Sequence, residues 1–204
     1  VRSGYERFIR EAPAVVSDEF EIVNMRTEPN FVSMVTYLTL RGTTFIPDFF
    51  EGCAYKKPLS IDIDVLDNMP DSEADYKRQN RKTWLWGRLL FLSAAPEPYL
   101  AYGGMHLVGL TPVKLQEHWD KAARQFEQAE TKRVADYADR SPIKWSATRD
   151  ELFPALDMPF GDIVVKVPRA YDDILTRNYG NYMELPPVEQ RKNHRPSQLD
   201  FGEY

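Results

Sequence analysis

Two aspartates in one short segment have the residue type and spacing of a metal-binding pair. Asp62 and Asp64 alternate with branched apolar residues, and this period-two pattern predicts a half-buried strand over residues 60–66. On such a strand both carboxylates project from one face, roughly 6.5–7 Å apart. Carboxylate oxygens are the ligands that Mg²⁺ takes in proteins. This face is therefore a candidate metal site.

The surroundings of the pair leave two interpretations open. Lys57 and Pro58 precede the strand, so no residue directly beside the aspartates neutralises them. Two carboxylates on one face repel each other, and a divalent cation between them removes that cost. Solvent around an exposed acidic face reduces the same repulsion. The segment indicates either a metal site or a solvated strand.

Length and composition limit the classes of protein to which the chain can belong. The 204 residues suit one domain, and an apolar content of 43% with 13% aromatic residues is typical of a folded chain. A net charge of −5 gives no basic field that attracts nucleic acid, so we expect no nucleic-acid partner. The single cysteine, Cys53, excludes an internal disulfide and favours a reducing, cytoplasmic location.

Apolar periodicity and turn residues predict an α+β chain. The acidic strand is expected beside a strand over residues 32–40. The longest helix is expected to begin at the cap Thr111, which Pro112 follows, and to run about 27 residues to Arg140. Residues 141–158 carry no periodic pattern. The other expected elements are helices over residues 3–12, 72–95 and 168–180 and strands over residues 20–26, 43–46 and 162–167.

The strongest apolar run covers residues 84–92 and is interrupted by Arg88. It is shorter than the roughly 20 apolar residues that cross a bilayer. Packing in the core is one interpretation. The other is a face that lies on a membrane surface, because Trp84 and Trp86 have basic neighbours that suit anionic headgroups.

Four segments, in order along the chain, carry a resemblance to one family. Residues 179–187 are Y-G-N-Y-M-E-L-P-P, preceded by a proline and by a short helix with D-D-I-L-T; residues 61–67 are I-D-I-D-V-L-D. Residues 4–8 are G-Y-E-R-F, and residues 43–46 are T-T-F-I. Together these segments resemble the LicD family of phosphocholine transferases, over nearly the whole chain.

The resemblance implies a fold and an activity. The fold would be a nucleotidyltransferase-like mixed sheet flanked by helices, in a single domain with a sheet part (1–70), a helical insertion (71–140) and a closing strand–helix block (141–195). Enzymes similar to this family transfer phosphocholine from CDP-choline to a hydroxyl of teichoic acid or lipopolysaccharide, and fukutin-like relatives transfer ribitol phosphate. One or two Mg²⁺ ions held by three carboxylates would align the reactants.

The matching motifs place Asp62 at the third of these carboxylates, as a catalytic residue and metal ligand. Asp64 departs from the family's Phe-Pro at that point, so it is either a further metal ligand or a solvated acid. The family's glycine motif and D-x-D pair lie just upstream of the helix over residues 3–12. We therefore expect further sequence before Val1, and little activity from the 204 residues alone.

The basic residues near the end of the chain are the expected substrate-binding groups. They are Arg177, Arg191 and His194. Arginine pairs with phosphate oxygens in a bidentate way, although a solvated basic tail is the other interpretation of residues 191–195. Two classes of function stay open. One is a Mg²⁺-dependent phosphotransferase that works at the inner face of the membrane, and the other is a relative that binds nucleotide or a partner without turnover.

Overall fold

The computed structural model describes residues 2–28, 31–53, 55–93, 109–191 and 195–204. The described chain is α+β, as the periodicity predicts. Its helices are α1 (Arg2–Glu11), α2 (Glu73–Ser93), α3 (Pro112–Ala123), α4 (Arg149–Leu152) and α5 (Tyr171–Tyr179). Its strands are β1 (Phe20–Val23), β2 (Thr36–Leu40), β3 (Thr44–Pro47), β4 (Ser60–Ile63), β5 (Leu66–Met69), β6 (Arg133–Asp136), β7 (Ala147–Thr148), β8 (Leu156–Phe160), β9 (Ile163–Val167) and β10 (Pro196–Asp200).

The acidic strand lies beside the strand expected as its neighbour. β4 pairs antiparallel with β2, and β1 pairs with the other edge of β2. In this register Tyr37 faces Asp62 and Thr36 faces Ile63. The first sheet thus brings the acidic segment against an aromatic residue of the central strand.

The acidic strand is shorter than predicted, because the chain changes sheets after Ile63. β4 ends there, and β5 begins at Leu66 in a second sheet, in the order β5-β6-β7. Two further two-stranded sheets pair β3 with β10 and β8 with β9. Among the described residues every strand pair is antiparallel. The single mixed sheet of the expected fold is replaced by four small antiparallel ones. The two-residue connection between β4 and β5 is too short for a parallel crossover within one sheet.

The helix that begins at Thr111 starts as predicted and ends early. The Thr111 side chain accepts a hydrogen bond from the Lys114 amide, but the helix ends at Ala123 rather than near Arg140. Buried Gln79 of α2 donates to the carbonyl oxygens of Ala122 and Ala123, at 3.2 and 2.9 Å. These last-turn carbonyls would otherwise need a continuing helix or a cap.

The side chain of Asn68, on β5, stabilises the turn that follows the end of α3. Its side-chain amide donates to the carbonyl oxygens of Phe126, Glu127 and Ala129, at 3.1, 3.2 and 2.9 Å. The turn held in this way leads into β6, whose Val134 and Ala135 are fully buried. The part expected to be a helical insertion therefore returns to the sheet as a strand beside β5.

The closing block contains the predicted strand and helix, and also two strands and a short helix that were not predicted. β9 and α5 lie over the expected residues, and Gly180 follows α5 with a φ of 71°, a conformation that glycine adopts at low cost. The segment 141–158, expected to be irregular, contributes β7, α4 and the start of β8, which pairs with β9. Thr148 and Glu151 form a capping box at the start of α4.

Candidate active site

A cavity of about 540 Å³ opens beside Asp62, and we call it the aromatic cavity. Its walls come from the segment before β2, from β2, β3 and β4, from the turn after β3 and from the end of α2. The aromatic residues that line it are Tyr37, Phe45, Phe50 and Phe91, and the polar residues are Ser33, Lys57, Ser60 and Asp62. A largely apolar cavity of this size with a few polar groups is typical of a small-molecule site.

The strand register explains why Asp62 reaches this cavity. Tyr37 and Asp62 are directly opposite in the β2–β4 pair, so their side chains project from the same face of the sheet. Ser60 lies two residues before Asp62 and shares that face. The Asp62 side chain is 54% exposed. It therefore lines a concave, solvent-accessible cavity, as the strand pattern predicts.

Lys57 neutralises Asp62, which the sequence interpretation did not expect. The Lys57 Nζ atom lies 3.5 Å from Asp62 Oδ1 and 4.0 Å from the centroid of the Tyr37 ring. Only 13% of the Lys57 side chain is exposed. The ammonium is thus held between a carboxylate and an aromatic face, an arrangement that stabilises a cation.

The Tyr37 hydroxyl remains protonated at neutral pH. The pKa of Tyr37 is raised to about 12, chiefly by burial and also by the negative charges of Asp62 and Asp64, against a hydrogen bond with Ser33 that lowers it. A protonated hydroxyl both donates and accepts hydrogen bonds. The wall of the aromatic cavity therefore contributes a polar group without a charge.

Asp64 has a different environment from Asp62. It lies beyond the end of β4 and is not among the residues that line the aromatic cavity, so the common face predicted for the pair does not extend to the cavity. Burial raises the pKa of the Asp64 carboxyl, and the charges of Asp62 and Asp139 add to the effect. Two like charges near Asp64 make its ionised form less favourable.

Asp136 is a titratable group that sequence reasoning missed. It faces Leu66 across the β5–β6 pair, and burial raises its pKa to about 7, with Asp64, Asp139 and Asp67 adding to the rise and the hydrogen bond from the Ala138 amide opposing it. Its position depends on β6, which the sequence pattern assigned to a helix. Only the pairing with β5 brings it near Asp64.

The described residues do not by themselves fit a divalent metal ion. Across residues 2–28, 31–53, 55–93, 109–191 and 195–204, no group of three or more His, Cys, Asp or Glu side chains could hold one. Asp62 contacts an ammonium, and Asp64 lies outside the aromatic cavity. We therefore derive no step through a bound metal from this arrangement.

Asp67, at the end of the 61–67 segment, and its neighbour Asn68 have structural contacts. Asp67 is buried and accepts hydrogen bonds from the Arg2 guanidinium at 2.9 and 2.5 Å. Asn68 holds the turn after α3 and also accepts a hydrogen bond from Arg149, at 2.9 Å. These two residues thus join α1, the turn after α3 and α4 to β5.

The predicted substrate-binding residues do not line the aromatic cavity. Arg177 donates to Glu151 Oε1 at 2.8 Å and to the Ser146 carbonyl oxygen at 3.2 Å, which joins α5 to the α4 segment. Arg191 is exposed, and its Nε donates to the Pro186 carbonyl oxygen at 2.9 Å. His194 lies outside the described residues.

The apolar run over residues 84–92 divides between the core and the surface. Leu90 is fully buried, and Trp86 stacks on His118 with ring centroids 4.5 Å apart. Trp84 and Leu85 are exposed. Within the part of the chain that the structure describes, no helix has both the length and the apolar character needed to cross a membrane.

Comparison of the chain with protein-family models, with curated proteins and with solved structures finds no match.

Proposed function

We propose that this protein is a transferase of the LicD type. It moves phosphocholine or a similar phospho-alcohol from a CDP-linked donor to a hydroxyl group of a cell-surface glycan, such as lipopolysaccharide or teichoic acid. The proposal rests on the four resembling segments and on one structural observation. Asp62, the matched catalytic residue, lies at the aromatic cavity and is open to solvent.

The geometry of this cavity suits a donor whose alcohol enters it. The aromatic walls shield an organic group from water, and Asp62 lies on the half-exposed side. A carboxylate at the edge of such a cavity can accept a hydrogen bond from the attacking hydroxyl of the glycan. Asp62 is therefore proposed as the catalytic residue that orients the acceptor hydroxyl and takes its proton.

The remaining parts of the proposal come from the resemblance. A Mg²⁺ requirement is carried over, with Asp62 and Asp64 as the carboxylates of the matched segment. Arg177, Arg191 and His194 are proposed to contact donor or acceptor phosphates, for which Arg177 would exchange its contact with Glu151. The proposed location is the cytoplasm, at the inner face of the membrane, with exposed Trp84 and Leu85 as the residues that contact lipid.

A second candidate function is supported by the contact between Lys57 and Asp62. A carboxylate at the matched catalytic position that is neutralised by an ammonium is what a binding protein without turnover would have. In this alternative the protein binds a CDP-linked alcohol or a partner and transfers nothing.

Release of CMP distinguishes the two functions. The purified full-length protein is incubated with CDP-choline or CDP-glycerol, with and without glycan acceptor and Mg²⁺, and CMP is measured. Transfer predicts release that depends on both acceptor and Mg²⁺. Asp62→Asn is expected to lower this release about 100-fold or more, because the neutral amide cannot accept a proton.

Asp157→Asn is the matched control. Asp157 also forms an ion pair with a lysine, Lys166, at 2.6 Å, but it lies on the β8–β9 hairpin and does not line the aromatic cavity. Its release of CMP should equal that of the wild type. Binding of a donor without any CMP release would establish the alternative, and full activity of Asp62→Asn would remove Asp62 from the mechanism.

A further inference from the structure

Lys57 places a positive charge inside the aromatic cavity. Its Nζ atom lies 4.0 Å from the Tyr37 ring centroid and 3.5 Å from Asp62 Oδ1, and its side chain is largely buried. An aromatic face next to a carboxylate is the site that a ligand cation would occupy. In this protein the position is already taken by a residue of the chain.

This arrangement disfavours a quaternary ammonium ligand in either of two ways. If the ligand displaces Lys57, the contacts of the ammonium with Asp62 and Tyr37 are lost. If it binds beside Lys57, two positive charges share a partly buried cavity, in which repulsion is stronger than in bulk water. The trimethylammonium group also has no N–H or O–H with which to use the polar groups of the cavity.

The polar groups of the cavity suit hydroxyl groups instead. Ser60 Oγ is buried and has no hydrogen-bond partner among the described residues, although Ser60 lines the cavity. An ammonium has three N–H donors, and one carboxylate oxygen at 3.5 Å from Lys57 leaves donors for a ligand. A buried polar atom without a partner costs free energy that a ligand hydroxyl recovers.

We propose that the alcohol of the donor is an uncharged polyhydroxy compound rather than a quaternary ammonium compound, and that Lys57 determines this preference. Lys57 donates a hydrogen bond to one hydroxyl of the alcohol, and Ser60 exchanges a hydrogen bond with another. The inference rests on the proposed function, since it names the class of alcohol that enters the site beside Asp62.

Calorimetric binding of CDP-glycerol and CDP-choline to the full-length protein, without acceptor, tests this inference. The wild type is expected to bind CDP-glycerol at least tenfold more tightly than CDP-choline. Lys57→Met keeps the apolar stem and removes the charge, so it should shift the ratio toward CDP-choline by about tenfold. Lys57→Arg keeps the charge and should keep the preference.

Two further variants separate a specific effect from a general one. Ser60→Ala should weaken CDP-glycerol binding about three- to tenfold and leave CDP-choline unchanged. Lys166→Met removes the lysine of the Asp157 ion pair on the hairpin and should change neither affinity.

The outcomes also separate this inference from the proposed function. Tighter binding of CDP-choline by the wild type, failure of both donors to bind, or an unchanged ratio in folded Lys57→Met overturns the inference. If Lys57→Met does not fold, the wild-type ratio and Lys57→Arg decide it. A preference for CDP-glycerol without CMP release supports the inference and refutes transfer, whereas release from CDP-choline in preference to CDP-glycerol supports transfer and refutes the inference.

Discussion

The guanidinium of Arg2 lies in bidentate contact with the carboxylate of Asp67. The Nε–Oδ1 and Nη2–Oδ2 distances are 2.9 and 2.5 Å, and both side chains are nearly inaccessible to solvent. A third atom of the same guanidinium, Nη1, lies 3.2 Å from Asp120 Oδ1 on α3. One buried cation thus joins α1 to β5 and to α3.

Removing one partner of this pair is expected to destabilise the protein strongly. Arg2→Met leaves the Asp67 carboxylate buried without a partner, which costs about 3–5 kcal/mol of the free energy of unfolding. Urea denaturation measures the loss. The double variant Arg2→Met/Asp67→Leu should recover part of it, because neither charge is then buried alone.

Arg7→Met is the control for this prediction. Arg7 also forms an ion pair with a carboxylate, Glu11, but both side chains are exposed. Exposed pairs contribute about 0–1 kcal/mol, so this variant should unfold almost like the wild type. Equal losses in Arg2→Met and Arg7→Met would contradict a structural role for the buried pair.

Asn68 is expected to stabilise the turn that ends α3. Asn68→Ala leaves three carbonyl groups, those of residues 126, 127 and 129, without their side-chain donor, and we expect a loss of about 2–3 kcal/mol. Relative to the wild type, hydrogen exchange in this variant should become faster for the amides of residues 126–132, and it should change less in α2. Asn181→Ala, at an exposed position, should leave both the stability and the exchange rates unchanged.

The elements that the sequence predicts well are those with local signals. The Thr111–Pro112 start of α3, the glycine after α5 and the alternation along β4 need only neighbouring residues. The end of α3 depends instead on Asn68, which lies 58 residues before the first carbonyl group that it contacts. Contacts of this kind override the intrinsic preference of a segment.

The candidate site likewise has one feature that the local sequence predicts and others that depend on distant contacts. The period-two pattern is sufficient to predict that Asp62 has an accessible face. It does not show that Lys57 lies against Asp62, because this contact requires the Tyr37 ring that β2 places opposite. The absence of Asp64 from the cavity lining was also hidden, since the change of sheets after Ile63 follows from the pairing of β5 with β6.

Asp136 is expected to make the stability depend on pH. Its pKa is about 7 in the folded protein against an ordinary value of 3.8, so between these values the folded state holds a proton that the unfolded state has lost. The free energy of unfolding therefore falls as the pH rises from about 4 to about 7, and this contribution is constant above that range.

Asp136→Asn removes this titration and tests the prediction. At pH 8 the variant should be more stable than the wild type by about 2–4 kcal/mol, and the difference should decrease as the pH is lowered toward 4. Urea denaturation at a series of pH values measures it. Asp173→Asn, on the first turn of α5, should follow the wild-type curve, and an Asp136→Asn curve parallel to the wild type would refute the assignment.

Gly202 is expected to hold the C-terminal strand beside the aromatic cavity. It has a φ of +65°, and a Cβ atom at this position would lie 2.3 Å from the Gly42 carbonyl oxygen. Since β10 pairs with β3, which contributes Phe45 and Pro47 to the cavity, Gly202→Ala should weaken the contact of the two strands. We expect a loss of about 1–3 kcal/mol and faster hydrogen exchange in residues 196–200.

Gly4→Ala is the opposite case, because a Cβ there has no heavy atom within 4 Å and the position is inside α1. It should stabilise the protein by about 0.5–1 kcal/mol. Unchanged exchange in residues 196–200 of Gly202→Ala would show that this strand is held to β3 without the close approach of the two glycines.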